Sequence, residues 1–193
     1  MRISAMLVAG LALALGAVVP STAEATSLRK LNLEERVELS DRVVRGTVVE
    51  IWTERDSNGV VWTRAQLDIT DVYKGTAVDT LVIDQLGGNW AGLITTVGGA
   101  SRFSVGEDMV VCLQQLESDH LVPVGMAQGK WTVRLDPYSQ QEIVQRFAPP
   151  MHEVYDHRFI PLPKADKREH LADFEDRIRT RVALDTTSIV EEK

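Results

Sequence analysis

The chain reads as a mainly β domain, a small barrel flanked by a short N-terminal helix and a C-terminal amphipathic helix. Three stretches carry that reading. Arg42 to Ile51 is rich in β-branched residues around a single Gly46 and reads as a long strand bent at the glycine. Asn58-Gly59 is a strong hairpin signal, and Val61, Thr63, Ala65, Leu67 and Ile69 alternate after it with Trp62, Arg64, Gln66 and Asp68. Met109 to Leu113 is a continuous apolar run of the kind buried on both faces of a sheet.

Residues 1–25 read as a signal peptide: Arg2, an apolar run from Ala5 to Val19, then Pro20 and Ala23-Glu24-Ala25. The run is short of the ~20 residues a membrane span needs, so cleavage between Ala25 and Thr26 and a secreted or periplasmic product without a membrane anchor are expected. Cys112 is the single cysteine, which leaves no intrachain disulfide and no cysteine for a lipid anchor; it reads as a small buried apolar residue. The formal net charge of −7 repels phosphate backbones and argues against nucleic acid as a partner.

Residues 26–147 form the expected barrel domain. Ser27 to Leu39 is compatible with a short helix capped by Asn32 and Glu35, with Leu33 and Val37 inward and Glu34, Glu35 and Arg36 facing water. The adjacent pairs Val43-Val44 and Val48-Val49 break alternation, as a strand buried on both sides near a bend does. In the returning strand the phase flips at Val72, placing a bulge near Thr70-Asp71, and Lys74-Gly75 closes it. Thr80 to Leu86 is a third strand. Gly87 to Gly106 holds six glycines and reads as a loop carrying Trp90, Leu93 and Ile94; no Gly-Lys-Ser/Thr follows, so it does not read as a phosphate cradle. His120 to Val124 and Lys130 to Leu135 read as a second hairpin through Gly125 and Gly129, and Gln140 to Phe147 as a last strand. Residues 148–165 are a proline-rich connector. Residues 166–185 are a helix with Leu171, Phe174, Ile178 and Val182 on one face, and 186–193 a frayed tail.

These features in this order resemble the netrin-like modules, the group that contains the tissue inhibitors of metalloproteinases. The resemblance rests on Ser40-Asp41-Arg42-Val43-Val44-Arg45-Gly46-Thr47-Val48-Val49, on Asp71-Val72-Tyr73-Lys74-Gly75, and on Phe103-Ser104-Val105-Gly106-Glu107 leading into the buried strand. It implies an OB-type five-stranded barrel and a cysteine-poor bacterial relative of that group, a fold whose open faces often bind oligosaccharides, nucleic acids or proteins. Inhibition in that family uses a disulfide-bonded N-terminal cysteine. The expected mature start, Thr26-Ser27-Leu28, has none, so that mechanism does not carry over.

No constellation in the sequence points to catalysis. Ser101 and Ser104 lack a nucleophile elbow, and the carboxylate pairs Asp68 with Asp71 and Glu107 with Asp108 read as a solvated face. His152 and His157 are spaced for neither a helix face nor a strand face. No cofactor, metal or catalytic residue is therefore assigned, and a hydrolase of unrecognised type is the remaining enzymatic alternative. The expectation is a non-catalytic binding or inhibitory module. Its partner is a secreted protein, an exported peptidase among the options, engaged through Trp90, Leu93, Ile94 and Trp62. The alternative is a glycan binder stacking sugars on Trp52, Trp62 and Trp90.

Overall fold

The computed structural model describes residues 29–146 and 168–191. The expected signal segment with Ala25 and Thr26, and the connector with His152 and His157, lie outside the described residues. The protein is mainly β, organised on a large antiparallel sheet.

The first element is helix α1 (Leu33–Glu38). Its start is fixed as the sequence implies: Glu35 N donates to Asn32 Oδ1 at 2.8 Å, and Asn32 N donates to Glu35 Oε2 at 2.8 Å, a reciprocal capping box. Arg36 departs from its expected place facing water. It is buried, donates to Leu31 O and lies 5.2 Å from the ring centroid of Trp131. The residue is long enough to reach back under the helix, which a periodicity count does not register.

Strands β1 (Arg42–Arg55), β2 (Val61–Lys74), β3 (Thr80–Leu86), β6 (Asp108–Gln115), β8 (Lys130–Leu135), β9 (Glu142–Gln145) and β10 (Glu169–His170) are hydrogen-bonded in the order β10-β9-β8-β6-β1-β2-β3. A separate two-stranded unit pairs β4 (Gly88–Trp90) with β5 (Leu93–Thr95). The last helix, α2, spans Leu171–Glu191 and so continues past Asp185, where a frayed tail was expected.

At Gly46, where a bend is expected, the register of β1 on β2 shifts and the two strands come unusually close. A Cβ at Gly46 would sit 2.5 Å from Asp68 O of the neighbouring strand, so the two backbones approach as only glycine permits. Across the pair, Gly46 is opposite Ile69 and Arg45 opposite Asp71, which leaves Thr70 as the extra residue of a bulge.

The sheet is buried on both faces at its centre. Val43, Val110 and Cys112 pack on one side with Leu33, Val37, Trp131, Phe174 and Ile178 of the helices and β8. Val44, Met109, Val111 and Leu113 pack on the other with Ala65, Leu67 and Ile83. Neighbouring residues on β1 and β6 therefore serve opposite cores, the physical reason for the adjacent valine pairs. Cys112 is fully buried among apolar groups, and burial pushes its thiol up to about 12.

The expected hairpin between residues 120–124 and 130–135 does not form. Strand β7 (Leu121–Pro123) pairs with Leu113 to Gln115 of β6, and β8 pairs with Met109 to Val111, so both lie along the same edge of β6. A 3-10 turn, Met126–Gly129, joins them.

Candidate functional site

The long β1–β2 hairpin projects beyond the double core, and its far end carries the most distinctive surface among the described residues. Its tip is the turn Asp56 to Val60. Asp56 Oδ1 accepts from Asn58 N at 2.9 Å and Val60 N at 2.8 Å, and Oδ2 accepts from the Trp62 indole at 3.1 Å. These bonds, the one from Val60 N foremost, hold the Asp56 carboxyl below its ordinary range. Gly59 adopts φ +83, as an Asn-Gly turn allows.

Beneath this turn lies a polar cluster. Trp62 stacks on His120 with ring centroids 3.8 Å apart and planes 16° from parallel. Asp84 Oδ2 accepts from Leu121 N at 3.2 Å and lies 3.2 Å from His120 Nδ1. Arg64 Nε is 2.8 Å from Asp84 Oδ1, an ion-pair distance at an angle outside hydrogen-bond geometry, while Arg64 Nη1 reaches Glu54 at 3.0 Å. Side chains thus tie β3 to β7, where no strand ladder joins them among the described residues. Trp62, expected on the water-facing side of β2, is only 8% exposed. Its face belongs to His120, a partner 58 residues away that alternation along β2 cannot reveal.

Above the turn stands the β4–β5 unit, a hairpin inside the stretch expected to be a loop. Its two-residue connection, Ala91 at φ 49 and Gly92 at φ 84, is the left-handed pair that suits a tight hairpin. Glycines place it closely on the parent strands: a Cβ at Gly88 would lie 2.5 Å from Thr63 Oγ1, and Thr63 Oγ1 donates to Gly87 O at 2.7 Å. The hairpin sets Trp90 opposite Leu93 on one face and Ile94, opposite Asn89, on the other, at 37, 51 and 71% exposure. Trp90 and the turn residues Arg55 to Gly59 line an open groove of about 420 Å³.

Of the expected contact residues, the structure therefore pairs Trp90 with Leu93, puts Ile94 on the other face of the same hairpin, and sets Trp62 apart in the layer below. Trp52 is half-buried on β1, its indole donating to Glu54 Oε2 at 3.3 Å, and Trp131 is buried against Phe174. Arg55 was not singled out from the sequence. Its guanidinium lies 5.7 Å from the Trp90 ring centroid, and the only signal available was its place beside an Asn-Gly turn. The carboxylates Glu107 and Asp108, expected to be merely solvated, are engaged. Glu107 holds Lys130 at 2.7 Å and accepts from Thr132 at 2.5 Å, and Asp108 is 2.6 Å from Arg45.

No helix among the described residues is long and apolar enough to cross a membrane, and no group of three or more metal-ligating side chains converges among them. Comparison with protein-family models gives no matching family, and comparison with curated proteins gives no matching relative.

Proposed function

We propose that the chain is a secreted or periplasmic, non-catalytic binding module whose β4–β5 hairpin engages a protein partner. The observation that carries this reading is the exposure of the Trp90–Leu93 pair, with Ile94 on the reverse face, on a hairpin whose apolar side chains belong to neither core. Exposing three large apolar side chains on one small element costs solubility, and it is an arrangement interfaces use. In this reading the sheet is an OB-type barrel of the netrin-like kind. The β1 strand that pairs with both β2 and β6, and the Asp84 contact that draws β7 to β3, support it. An exported peptidase is the partner class that the resemblance suggests, reached by a route other than an N-terminal cysteine.

A second reading, glycan binding, is favoured by one feature: the groove beside Trp90 is lined by Asp56, Ser57 and Asn58, polar groups suited to sugar hydroxyls. Capture from the secreted protein fraction, with and without prior deglycosylation, separates the two. The protein reading expects retention that survives deglycosylation and is lost in Trp90→Ala and Ile94→Ser proteins of unchanged thermal midpoint. Retention that disappears on deglycosylation would replace it with the second reading.

A further inference from the structure

Arg55 stands between two acidic residues and pairs with neither. Glu54 is turned to Arg64 at 3.0 Å and to the Trp52 indole at 3.3 Å. Asp56 spends both oxygens on the turn and on Trp62. Arg55 itself is held by Nε, which donates to Gly59 O at 2.9 Å, and by its position 5.7 Å from the Trp90 centroid. Those two anchors fix the plane of the guanidinium at the groove wall. They leave Nη1 and Nη2 without a hydrogen-bond or ion-pair partner among the described residues. Elsewhere in this acidic chain Arg45, Arg64, Arg177 and Arg181 all meet carboxylates at 3.0 Å or less.

An oriented fork with two free donors matches a carboxylate bidentately, which a lysine at the same place would not do. In the same groove the Trp90 ring, 37% exposed, offers apolar contact beside the guanidinium. We propose that the Arg55–Trp90 groove is an acidic-peptide subsite: it takes an aspartate or glutamate side chain of an extended partner segment, with a neighbouring apolar residue seated on Trp90. This proposal rests on the protein-binding reading above and names the chemistry of its partner.

The test uses blocked hexapeptides, acetylated and amidated, with a central Leu-Glu, the same peptides with Leu-Gln, and a tri-galacturonate, each titrated into the ¹⁵N-labelled protein. The expected result is movement of the Arg55 Nε–H and Trp90 indole signals with the Leu-Glu peptide, and binding about fivefold weaker for Leu-Gln, the scale of a well-formed but exposed ion pair. Arg55→Gln should erase the difference between the two peptides, whereas Trp90→Ala should weaken both. Equal binding of the two peptides by the wild-type protein, or binding of neither, would overturn the subsite. So would binding of the tri-galacturonate with the peptides silent. If the peptides fail to discriminate while full-length partner capture still depends on Trp90, the acidic subsite falls and the protein-binding reading stands.

Discussion

The two halves of the β1–β2 hairpin share a ladder but not an environment. From Arg42 to Val48 the first strand runs between two apolar cores, and most of its side chains are buried or nearly so. From Val49 to Arg55 only Ile51 still packs against a core, and the order of the hairpin end comes from directional contacts: Glu54 with Arg64, Asp56 with the turn, the Trp62 ring on His120. Packing dictates the first half residue by residue. The second is held by directional contacts that leave its outer surface open to variation, which is where a binding site can sit without costing the fold.

That contrast orders the expected effects of mutation. The largest belongs to the helix that covers one core. Phe174 on α2 is 2% exposed and lies 4.9 Å from the Trp131 centroid, so Phe174→Ala should cost about 4 kcal/mol in denaturant titration. Gly46→Val should follow at about 3 kcal/mol, because its first side-chain carbon would meet Asp68 O at 2.5 Å in a backbone that cannot give. Gly59→Asn tests the same idea at the open end. There the neighbour is the flexible tip of Arg55 at 2.7 Å and asparagine tolerates the positive φ, so the expected cost is about 1 kcal/mol. Equal costs at the two glycines would erase the distinction between the halves.

The features legible in the sequence were the local ones. The Asn32 cap, the special place of Gly46, the Thr70 bulge and the apolar face of α2 each follow from residues a few positions apart. What stayed hidden depends on distant pairing. Trp62 was misplaced because His120 covers it, and Arg36 because Trp131 does. The edge shared by β7 and β8 is a property of β6, not of the glycines between them. The candidate site was half visible: the exposed apolar residues could be named, but the β4–β5 hairpin that carries them was masked by glycine content, and Arg55 gains meaning only from where Glu54 and Asp56 turn.

The buried half also carries a pH signature. Cys112 is raised from an ordinary thiol value of 9.0 to about 12 by burial. The unfolded chain therefore gives up this proton first, and stability falls as pH rises through the window from about 9 to 12, with a slope approaching ~1.4 kcal/mol per pH unit from this group alone. Tyr73, raised by burial and by its bond to Glu175, adds loss in the same direction above its unfolded value. Lys130, lowered chiefly by burial, opposes it. A Cys112→Ala protein isolates the thiol: its stability should fall less steeply between pH 9 and 11 than that of the wild type. Identical slopes would mean that the thiol reaches water in the native state.

The smallest expected effect on stability is at the tip of the open half, and it is the most informative about function. Ile94 is 71% exposed on β5, opposite Asn89, and belongs to neither core. Replacing it by serine removes no buried contact and leaves no unsatisfied polar group, so Ile94→Ser should change unfolding free energy by no more than about 0.5 kcal/mol. If the residue were there to hold the hairpin on the parent strands, its loss would instead loosen β4–β5 and expose the amides of Gly88 and Trp90 to faster hydrogen exchange. If it is there for a partner, exchange protection and thermal midpoint should stay at wild-type values while affinity falls by roughly tenfold, the usual scale for removing an apolar anchor from an interface. Hydrogen exchange and binding measured on the same preparation distinguish the two. A destabilised hairpin with unchanged affinity would move Ile94 from the interface into the framework.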